Sequence, residues 1–267
     1  MEKVWFTNSR GERLAAVFQQ PECTPGATLI ITHGFRGSKE GGGRAVLLGE
    51  ELVKRGYGVF RFDFSGVGES EGDFSEITLA RQVDDLLAAV NWVLNFGTGP
   101  RIPLVGLGRS FGGSTLLAAT AKESRIAGVC LWSTPFDLPQ TFRRILGEYF
   151  TRLELGETIV ELCDEKGVFS LKPDFVHGLY HFKVEQVLSR LSPRPVLIIH
   201  GENDEVVDVQ QAKQTYALAS QPKSIHIIPK GDHQFLQTWE QVWRLLFEWL
   251  DQYYPVADKQ INTLGLL

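Results

Sequence analysis

Short apolar runs alternate along this chain with longer segments whose apolar residues recur every three or four positions. The short runs have the length of buried strands and end at turn residues, which predicts strands over 28–32, 57–63, 102–107, 126–133, 196–200 and 224–228. The periodic segments predict helices over 44–55, 77–95, 111–121, 209–219 and 235–253. Strands that alternate with helices favour an α/β fold with a mostly parallel central sheet and helices on both faces.

Two segments depart from this alternation. Near the start, apolar runs at 4–8 and 14–19 flank a turn and predict an antiparallel hairpin. The segment 136–190 is far longer than an ordinary loop and rich in aromatic residues, which predicts a helical insertion with apolar faces to bury. We therefore expect a core made of 1–135 and 191–267, with 136–190 as a lid-like insertion between its two parts.

The composition narrows the class of partner and the compartment. The 267 residues are 43% hydrophobic, and 27 basic against 32 acidic side chains give a formal net charge of −5. Because no basic block is present, nucleic acid is not the expected partner. The N-terminal residues lack the apolar core of a signal peptide, and no apolar run approaches the ~20 residues that span a bilayer. Three sparse cysteines fit reduced thiols, so we expect a cytoplasmic protein with no membrane partner. Pro255 should end the last helix, and the tail beyond it shows no pattern.

Ser110 stands between a predicted strand and a predicted helix. It is flanked by Gly108 and Gly112 in a G-x-S-x-G pattern, with Gly113 following. A nucleophilic serine in this context sits on a sharp, strained turn, and the glycines prevent collisions with the neighbouring strand and helix. The alternative is a glycine-rich turn of any α/β protein, and the flanking strand and helix favour the nucleophile.

A serine nucleophile needs a base that titrates near neutrality, and a carboxylate to orient that base. His233 follows the last predicted strand and precedes the last helix, which is the best placement among the six histidines. His200 ends a strand and is interpreted as a packing residue, and His226 lies within a strand. For the carboxylate, Asp204 is the first choice after the preceding strand. Asp208 is held in reserve, and two weaker candidates are Glu202 and Glu205.

An acyl-transfer site also needs donors for the oxyanion of its tetrahedral intermediate. The backbone N–H of Phe111, directly after the serine, should supply one. The second should come from Phe35, in the loop after the first buried strand, where Gly34 allows a close approach and is expected to contact substrate. The alternative for this loop is a simple strand-ending turn.

Five motifs in chain order together resemble those of the α/β-hydrolase superfamily. They are His33-Gly34-Phe35, the loop 62–70, Gly108-Arg109-Ser110-Phe111-Gly112, His200-Gly201-x-x-Asp204 and Gly231-Asp232-His233-x-Phe235. Within the superfamily, the chain resembles bacterial serine esterases of the cinnamoyl or feruloyl type, which carry an insertion after the sixth sheet strand. The resemblance implies a triad of Ser110, Asp204 and His233. Arg109 departs from the pattern, since an uncharged residue is more usual there, and the loop 62–70 is interpreted as a brace rather than a catalytic element.

The sequence therefore predicts a serine hydrolase that cleaves carboxylic esters through an acyl-enzyme, without metal or organic cofactor. The expected partner is a small-molecule ester, and a homodimer is left open. Three alternatives remain at this stage. An acyl-CoA thioesterase or a serine peptidase would use the same triad. A dehalogenase or epoxide hydrolase would need a carboxylate nucleophile, against which Ser110 argues. A non-enzymatic binding protein would be favoured by a degraded triad, and here every part is present.

Overall fold

The structure, a computed structural model, describes residues 1–257, whose strands are short. In chain order these are β1 (Glu2–Thr7), β2 (Arg13–Gln19), β3 (Thr28–Thr32), β4 (Gly58–Phe62), β5 (Leu104–Arg109), β6 (Ile126–Trp132), β7 (Val160–Asp164), β8 (Gly167–Leu171), β9 (Val196–Gly201) and β10 (Lys223–Ile228). Within these residues, eight strands form one sheet in the order β1-β2-β4-β3-β5-β6-β9-β10. The hairpin β1–β2 and the pair β2–β4 are antiparallel, and the other neighbours are parallel.

Helices cover both faces of this sheet and form part of the insertion. They are α1 (Arg44–Lys54), α2 (Leu79–Phe96), α3 (Phe111–Thr120), α4 (Leu138–Leu146), α5 (Glu148–Glu154), α6 (Pro173–Leu179), α7 (Val184–Leu188), α8 (Val209–Leu218) and α9 (Trp239–Tyr253). Helices α1 and α9 bury leucines and tryptophans against one face. Helices α2, α3 and α8 pack on the other face. The predicted α/β fold, with a mostly parallel sheet covered on both sides, is confirmed.

The alternation of side chains along β5 explains how the fold places the serine turn. Val105 and Leu107 face α1 and α9, whereas Gly106 and Gly108 face α3. A Cβ at either glycine would collide with α3, so their absence lets that helix lie directly against the strand. The next residue on the first face is Arg109, whose side chain accordingly lies on the side of α1 and α9.

The insertion is not purely helical. Between β6 and β9 the described chain carries α4, α5, α6 and α7 together with the antiparallel hairpin β7–β8. The hairpin shows a period of two, with Val160 and Leu162 buried and Glu161 exposed, a signal that the prediction of a helical segment overlooked. Buried side chains of α4, α5 and α6 pack with Phe111 in one apolar cluster, which anchors the insertion to the core.

The boundary of the last helix was predicted wrongly. Helix α9 begins at Trp239 rather than at Phe235, because Phe235 adopts a left-handed backbone with φ of 55° and starts a turn instead. The helix ends at Tyr253, before Pro255, as expected. The predicted lack of pattern beyond Pro255 concerns residues that, from 258 to 267, lie outside the described part of the chain. Across residues 1–257, the structure contains no helix with the length and apolar character of a membrane span.

Candidate active site

Ser110 lies where β5 ends and α3 begins. Its backbone has φ 52° and ψ −127°, a conformation that costs a non-glycine residue about 1–3 kcal/mol. Its N–H donates to the carbonyl oxygen of Trp132 at 2.8 Å, which ties the turn to β6. A Cβ at Gly112 would collide with the carbonyl oxygen of Thr32, so only glycine permits this approach of α3 to β3. The neighbouring strands thus hold the serine in a strained turn at the carboxyl end of the sheet.

The loop after β3 lies directly against this serine. A Cβ placed on Gly34 would stand 3.1 Å from Ser110 Cβ and 3.6 Å from its Oγ, so a side chain here would crowd the hydroxyl. In the part of the chain that the structure describes, the N–H groups of Phe35 and Phe111 donate no hydrogen bond. Two unused backbone donors beside one hydroxyl are what a developing oxyanion requires.

His233 and Asp204 form a buried pair at the same edge of the sheet. They follow the neighbouring strands β10 and β9, and His233 Nδ1 lies 2.9 Å from each carboxylate oxygen of Asp204. Burial alone would raise the pKa of Asp204, but hydrogen bonds from His200 and His233 outweigh it and hold that pKa well below its ordinary value. The charged carboxylate fixes Nδ1 of His233 as a donor, which leaves Nε2 free to take a proton.

A second histidine contacts the same carboxylate. His200 Nε2 lies 3.2 Å from Asp204 Oδ2 and 2.9 Å from the carbonyl oxygen of Val207, and its side chain is fully buried. Because Nε2 faces two acceptors it carries the proton, and Nδ1 has no partner among the described residues. His200 was interpreted from the sequence as a packing residue, and in the structure it also contacts and orients Asp204. The available signal was its position four residues before the acid, at the end of the same strand.

The remaining acidic candidates have other partners. Asp208 caps the first turn of α8, where its carboxylate accepts a backbone N–H at 2.8 Å. Glu202 accepts a backbone N–H across the loop, and Glu205 accepts the N–H of His233 at 3.4 Å. Of these candidates, Asp204 is the one that contacts the His233 ring.

Two arrangements are absent from the described residues of the site. Among residues 1–257, no hydrogen bond joins Ser110 to His233; such bonds are often long in unliganded enzymes and tighten when substrate binds. The described residues also contain no group of three or more histidine, cysteine or acidic side chains placed to hold a metal ion.

The loop 62–70 braces the loop that carries Phe35. Lys39 Nζ lies 2.6 Å from Asp63 Oδ2 and 2.8 Å from Glu69 Oε2, and the Lys39 N–H donates to Asp63 Oδ1 at 2.7 Å. Burial would lower the pKa of Lys39, but the hydrogen bonds to both carboxylates raise it above its ordinary value. The Lys39 and Asp63 side chains are 2% and 0% exposed, so this is a buried ion pair between two loops. Its geometry agrees with the interpretation of 62–70 as a structural turn.

Aromatic side chains of the insertion pack on the same loop. The ring of Phe35 lies 5.2 Å from that of Phe142 and 5.4 Å from that of Phe175, and Phe111 contacts both. Phe142 and Phe175 are almost fully buried, so they belong to the core of the insertion. From the hairpin β7–β8, Asp164 accepts from Arg36 Nη2 at 2.7 Å. The insertion therefore contacts the loop through the side chains of Phe35 and Arg36.

Known proteins are similar to this chain in sequence and in fold. Residues 24–173, which include Phe35 and Ser110, match the model of a family described as serine aminopeptidase, S33. YfhR of Escherichia coli O157:H7 is 30% identical, over 87% of this chain and 73% of its own. The mitochondrial palmitoyl-protein thioesterase ABHD10 of Mus musculus is 30% identical, over 79% of this chain and 69% of its own.

Solved structures give the same answer for the fold. Est1E from Butyrivibrio proteoclasticus, solved with ferulic acid bound, superposes with a TM-score of 0.77 at 24% identity, over 93% of this chain and 98% of its own. Mouse α/β-hydrolase domain-containing protein 10 gives a TM-score of 0.70 at 23% identity, over 94% and 99%. Since the family match covers more than half of the chain and the architecture is shared, this protein belongs to the serine aminopeptidase S33 family of α/β hydrolases.

Proposed function

We propose that this hydrolase cleaves carboxylic esters through an acyl-enzyme formed on Ser110. The observation that supports this most strongly is that three features meet at one edge of the sheet. They are a strained serine, two unused backbone N–H groups and a buried His–Asp pair. The serine is partly exposed, so a substrate carbonyl can approach it. The arrangement supplies a nucleophile, an oxyanion site and an oriented base.

The proposed reaction assigns one role to each group. Ser110 Oγ attacks the ester carbonyl while His233 Nε2 takes its proton, and the N–H groups of Phe35 and Phe111 stabilise the oxyanion. His233 then protonates the leaving alcohol. A water molecule, deprotonated by His233, releases the acid and restores Ser110. Throughout, Asp204 holds the imidazole and stabilises its charged form.

A thioester is the second candidate substrate. It is favoured by the 30% identity to a palmitoyl-protein thioesterase, and the same triad expels a thiolate more readily than an alkoxide. The feruloyl branch is supported by the shared fold with Est1E. A peptide is the third candidate, consistent with the description of the family. The three substrate classes differ in their leaving group, so a panel of substrates with different leaving groups distinguishes them.

The test is hydrolysis of such a panel by the wild type and by Ser110→Ala. The panel contains short- and long-chain p-nitrophenyl esters, methyl hydroxycinnamates, an acyl-CoA and an aminoacyl anilide. We expect esters to be cleaved fastest, and Ser110→Ala to lose about 10⁴-fold or more in kcat. Ser124→Ala, an exposed serine just beyond α3, is the matched control and should behave as wild type.

Labelling with a fluorophosphonate gives an independent reading of the nucleophile. Wild type and Ser124→Ala should be labelled at Ser110, and Ser110→Ala should not. A wild type that neither hydrolyses the panel nor reacts with the label would overturn the proposal and favour a non-enzymatic binding protein. Preference for the acyl-CoA or the anilide would instead move the substrate class to thioesters or peptides.

A further inference from the structure

A cavity of about 250 Å³ lies on the α1 and α9 side of the sheet, away from the insertion. It opens between the loop after β3 and the turn that precedes α9. Its walls are largely apolar and aromatic, built by Leu48, Trp132, Phe235, Trp239 and Trp243. The volume is enough for a small ring with a short substituent, and no local pattern in the sequence indicates such a cavity.

The guanidinium of Arg109 lies in the wall of this cavity. Among the described residues it has no ion-pair or hydrogen-bond partner, and its Nε is buried and unsatisfied. Burial lowers the pKa of Arg109 and the cation of Arg44 acts in the same direction, while the carboxylates of Asp204 and Asp232 oppose them without reversing the shift. The buried Nε–H of Arg109 has neither water nor a protein acceptor among the described residues, and a bound anion would supply that acceptor. The position is the one where the chain departs from the family resemblance.

The other cations in the wall already have hydrogen-bond partners. Lys39 is held by carboxylates, and Arg44 donates to the backbone carbonyl oxygens of Gln234 and Leu236. The wall residues include no aspartate or glutamate. Arg109 is therefore the cation of the cavity wall that has no hydrogen-bond partner among the described residues.

We propose that this cavity binds a small monocarboxylate with an aromatic or branched apolar body, with its carboxylate on Arg109. A guanidinium pairs with a carboxylate through two parallel hydrogen bonds, and the indole rings suit a flat apolar body. A phosphate dianion would bring a second charge, which Arg44 could meet only by giving up its two backbone acceptors. Gly34 lines the cavity and also lies against Ser110, so the site adjoins the proposed active site without using its catalytic groups.

Binding of benzoate and phenylacetate, compared with neutral benzamide, tests the proposal by calorimetry and by tryptophan fluorescence. We expect the acids to bind at least 10-fold more tightly than the amide, with quenching of the tryptophans in the wall. Arg109→Gln should weaken acid binding at least 10-fold, and Arg109→Lys should weaken it less. Ala45→Leu, which fills the cavity from α1 and keeps the charge, should also weaken it. The control Arg55→Gln, an arginine stacked on Phe247 outside the cavity, should bind as wild type.

Four outcomes would overturn the proposal. They are equal binding of benzoate and benzamide by the wild type, unchanged binding in folded Arg109→Gln, tighter binding of inorganic phosphate, and loss of binding once Ser110 is blocked by a fluorophosphonate. The comparison of benzoate with benzamide and the measurement with phosphate need no variant, so they test the proposal even if a substitution prevents folding. If Ser110 does not react with the fluorophosphonate, the proposed ester hydrolysis fails while the binding results keep their meaning.

Discussion

At the scale of single residues, the backbone of Ser110 is the most informative feature. Its φ of 52° is sustained by β3 and β6, which hold the turn from two sides. Such a conformation is easy for glycine and unfavourable for any residue with a Cβ. The strain is the cost of presenting the hydroxyl at the edge of the sheet.

This strain predicts that, at position 110, a glycine variant is more stable than an alanine variant, which reverses the usual order. Ser110→Gly should be more stable than Ser110→Ala by about 1 kcal/mol, because relief of strain exceeds the added entropy of the unfolded chain. Urea unfolding of the two variants measures the difference. At the control position Ser124 the order should reverse. A glycine variant less stable than alanine at 110 would show that the turn is unstrained.

His200 carries a second prediction at this scale. His200→Phe removes a donor from the Asp204 carboxylate, and a hydrogen bond to a charged group contributes about 1.5–3 kcal/mol. We expect kcat on the best ester to fall by about 10-fold or more, with KM little changed. His200→Gln, whose amide can donate to the same oxygen, should recover part of the loss. Equal activity of both variants and wild type would confine His200 to packing.

At the scale of elements, strand β5, its turn and α3 could be predicted because every local signal agrees there. The hairpin β7–β8 was missed because its alternation is short and lies among helical segments. The start of α9 was misplaced because nothing in the residue Phe235 announces a left-handed backbone. Likewise, the free guanidinium of Arg109 depends on neighbours from four separate segments, which no local pattern reveals.

The hairpin β7–β8 and the loop after β3 meet at Arg36, and this joint allows a further prediction. Arg36 donates to Asp164 and to the carbonyl oxygen of Gly167, and its guanidinium lies 4.0 Å from the ring centroid of Phe169. Arg36→Ala should lower kcat/KM, because the adjacent Phe35 N–H loses its support. It should cost little stability, about 1 kcal/mol or less, since the ion pair reaches the surface.

Arg143→Ala is the matched control for this joint. Arg143 lies in the insertion and, like Arg36, pairs with a carboxylate, that of Glu154, but it does not contact the loop. Kinetics and urea unfolding should show unchanged kcat/KM for Arg143→Ala. Equal losses of activity in the two variants would mean that the effect comes from the insertion as a whole.

The buried ion pair of Lys39 and Asp63 joins the loop after β3 to the loop 62–70, and unlike the pair of Arg36 and Asp164 it is shielded from solvent. Lys39→Met leaves the Asp63 carboxylate buried without its cation, which should destabilise the fold by about 3–5 kcal/mol. The double variant Lys39→Met/Asp63→Leu should be more stable than Lys39→Met, because no unpaired charge remains. Thermal or urea unfolding measures both. A double variant less stable than the single one would contradict this account.

At the scale of the whole molecule, one buried histidine makes stability depend on pH. His33 is enclosed, donates from Nδ1 to the Gly34 carbonyl oxygen and accepts the Phe64 N–H at Nε2, and burial lowers its pKa. The unfolded chain therefore takes up a proton first as pH falls below about 6.5, so the free energy of unfolding declines. The slope should be about 1.4 kcal/mol per pH unit until His33 itself titrates.

His33→Gln isolates this contribution. Urea unfolding between pH 7.5 and 5.5 should show a decline for wild type that is shallower in the variant. The depressed pKa of Asp204 acts with the same sign but in a lower window, since the unfolded carboxylate protonates only below about pH 5. Parallel curves for wild type and variant above pH 5.5 would show that His33 does not control this window.

The whole sheet could be predicted because its strands read as separate apolar runs, and the site candidates followed from the rule that carboxyl ends of parallel strands meet. The structure brings Asp204 and His233 together and places Gly34 against Ser110. Their catalytic roles stay predictions until the panel is assayed. The substrate could not be predicted, because the insertion that adjoins the site packs its aromatic residues into its own core.

The three cysteines differ sharply in exposure, which makes the molecule ready for site-specific spectroscopy. Cys130 is fully buried in β6, Cys23 is half-buried, and Cys163 is exposed on β7, beside the joint with Arg36. Burial also raises the pKa of the Cys130 thiol, which suppresses its reactivity. In a Cys23→Ser background, a maleimide dye or spin label would therefore attach at one native position. That probe would show whether the hairpin moves during turnover, with no foreign cysteine introduced.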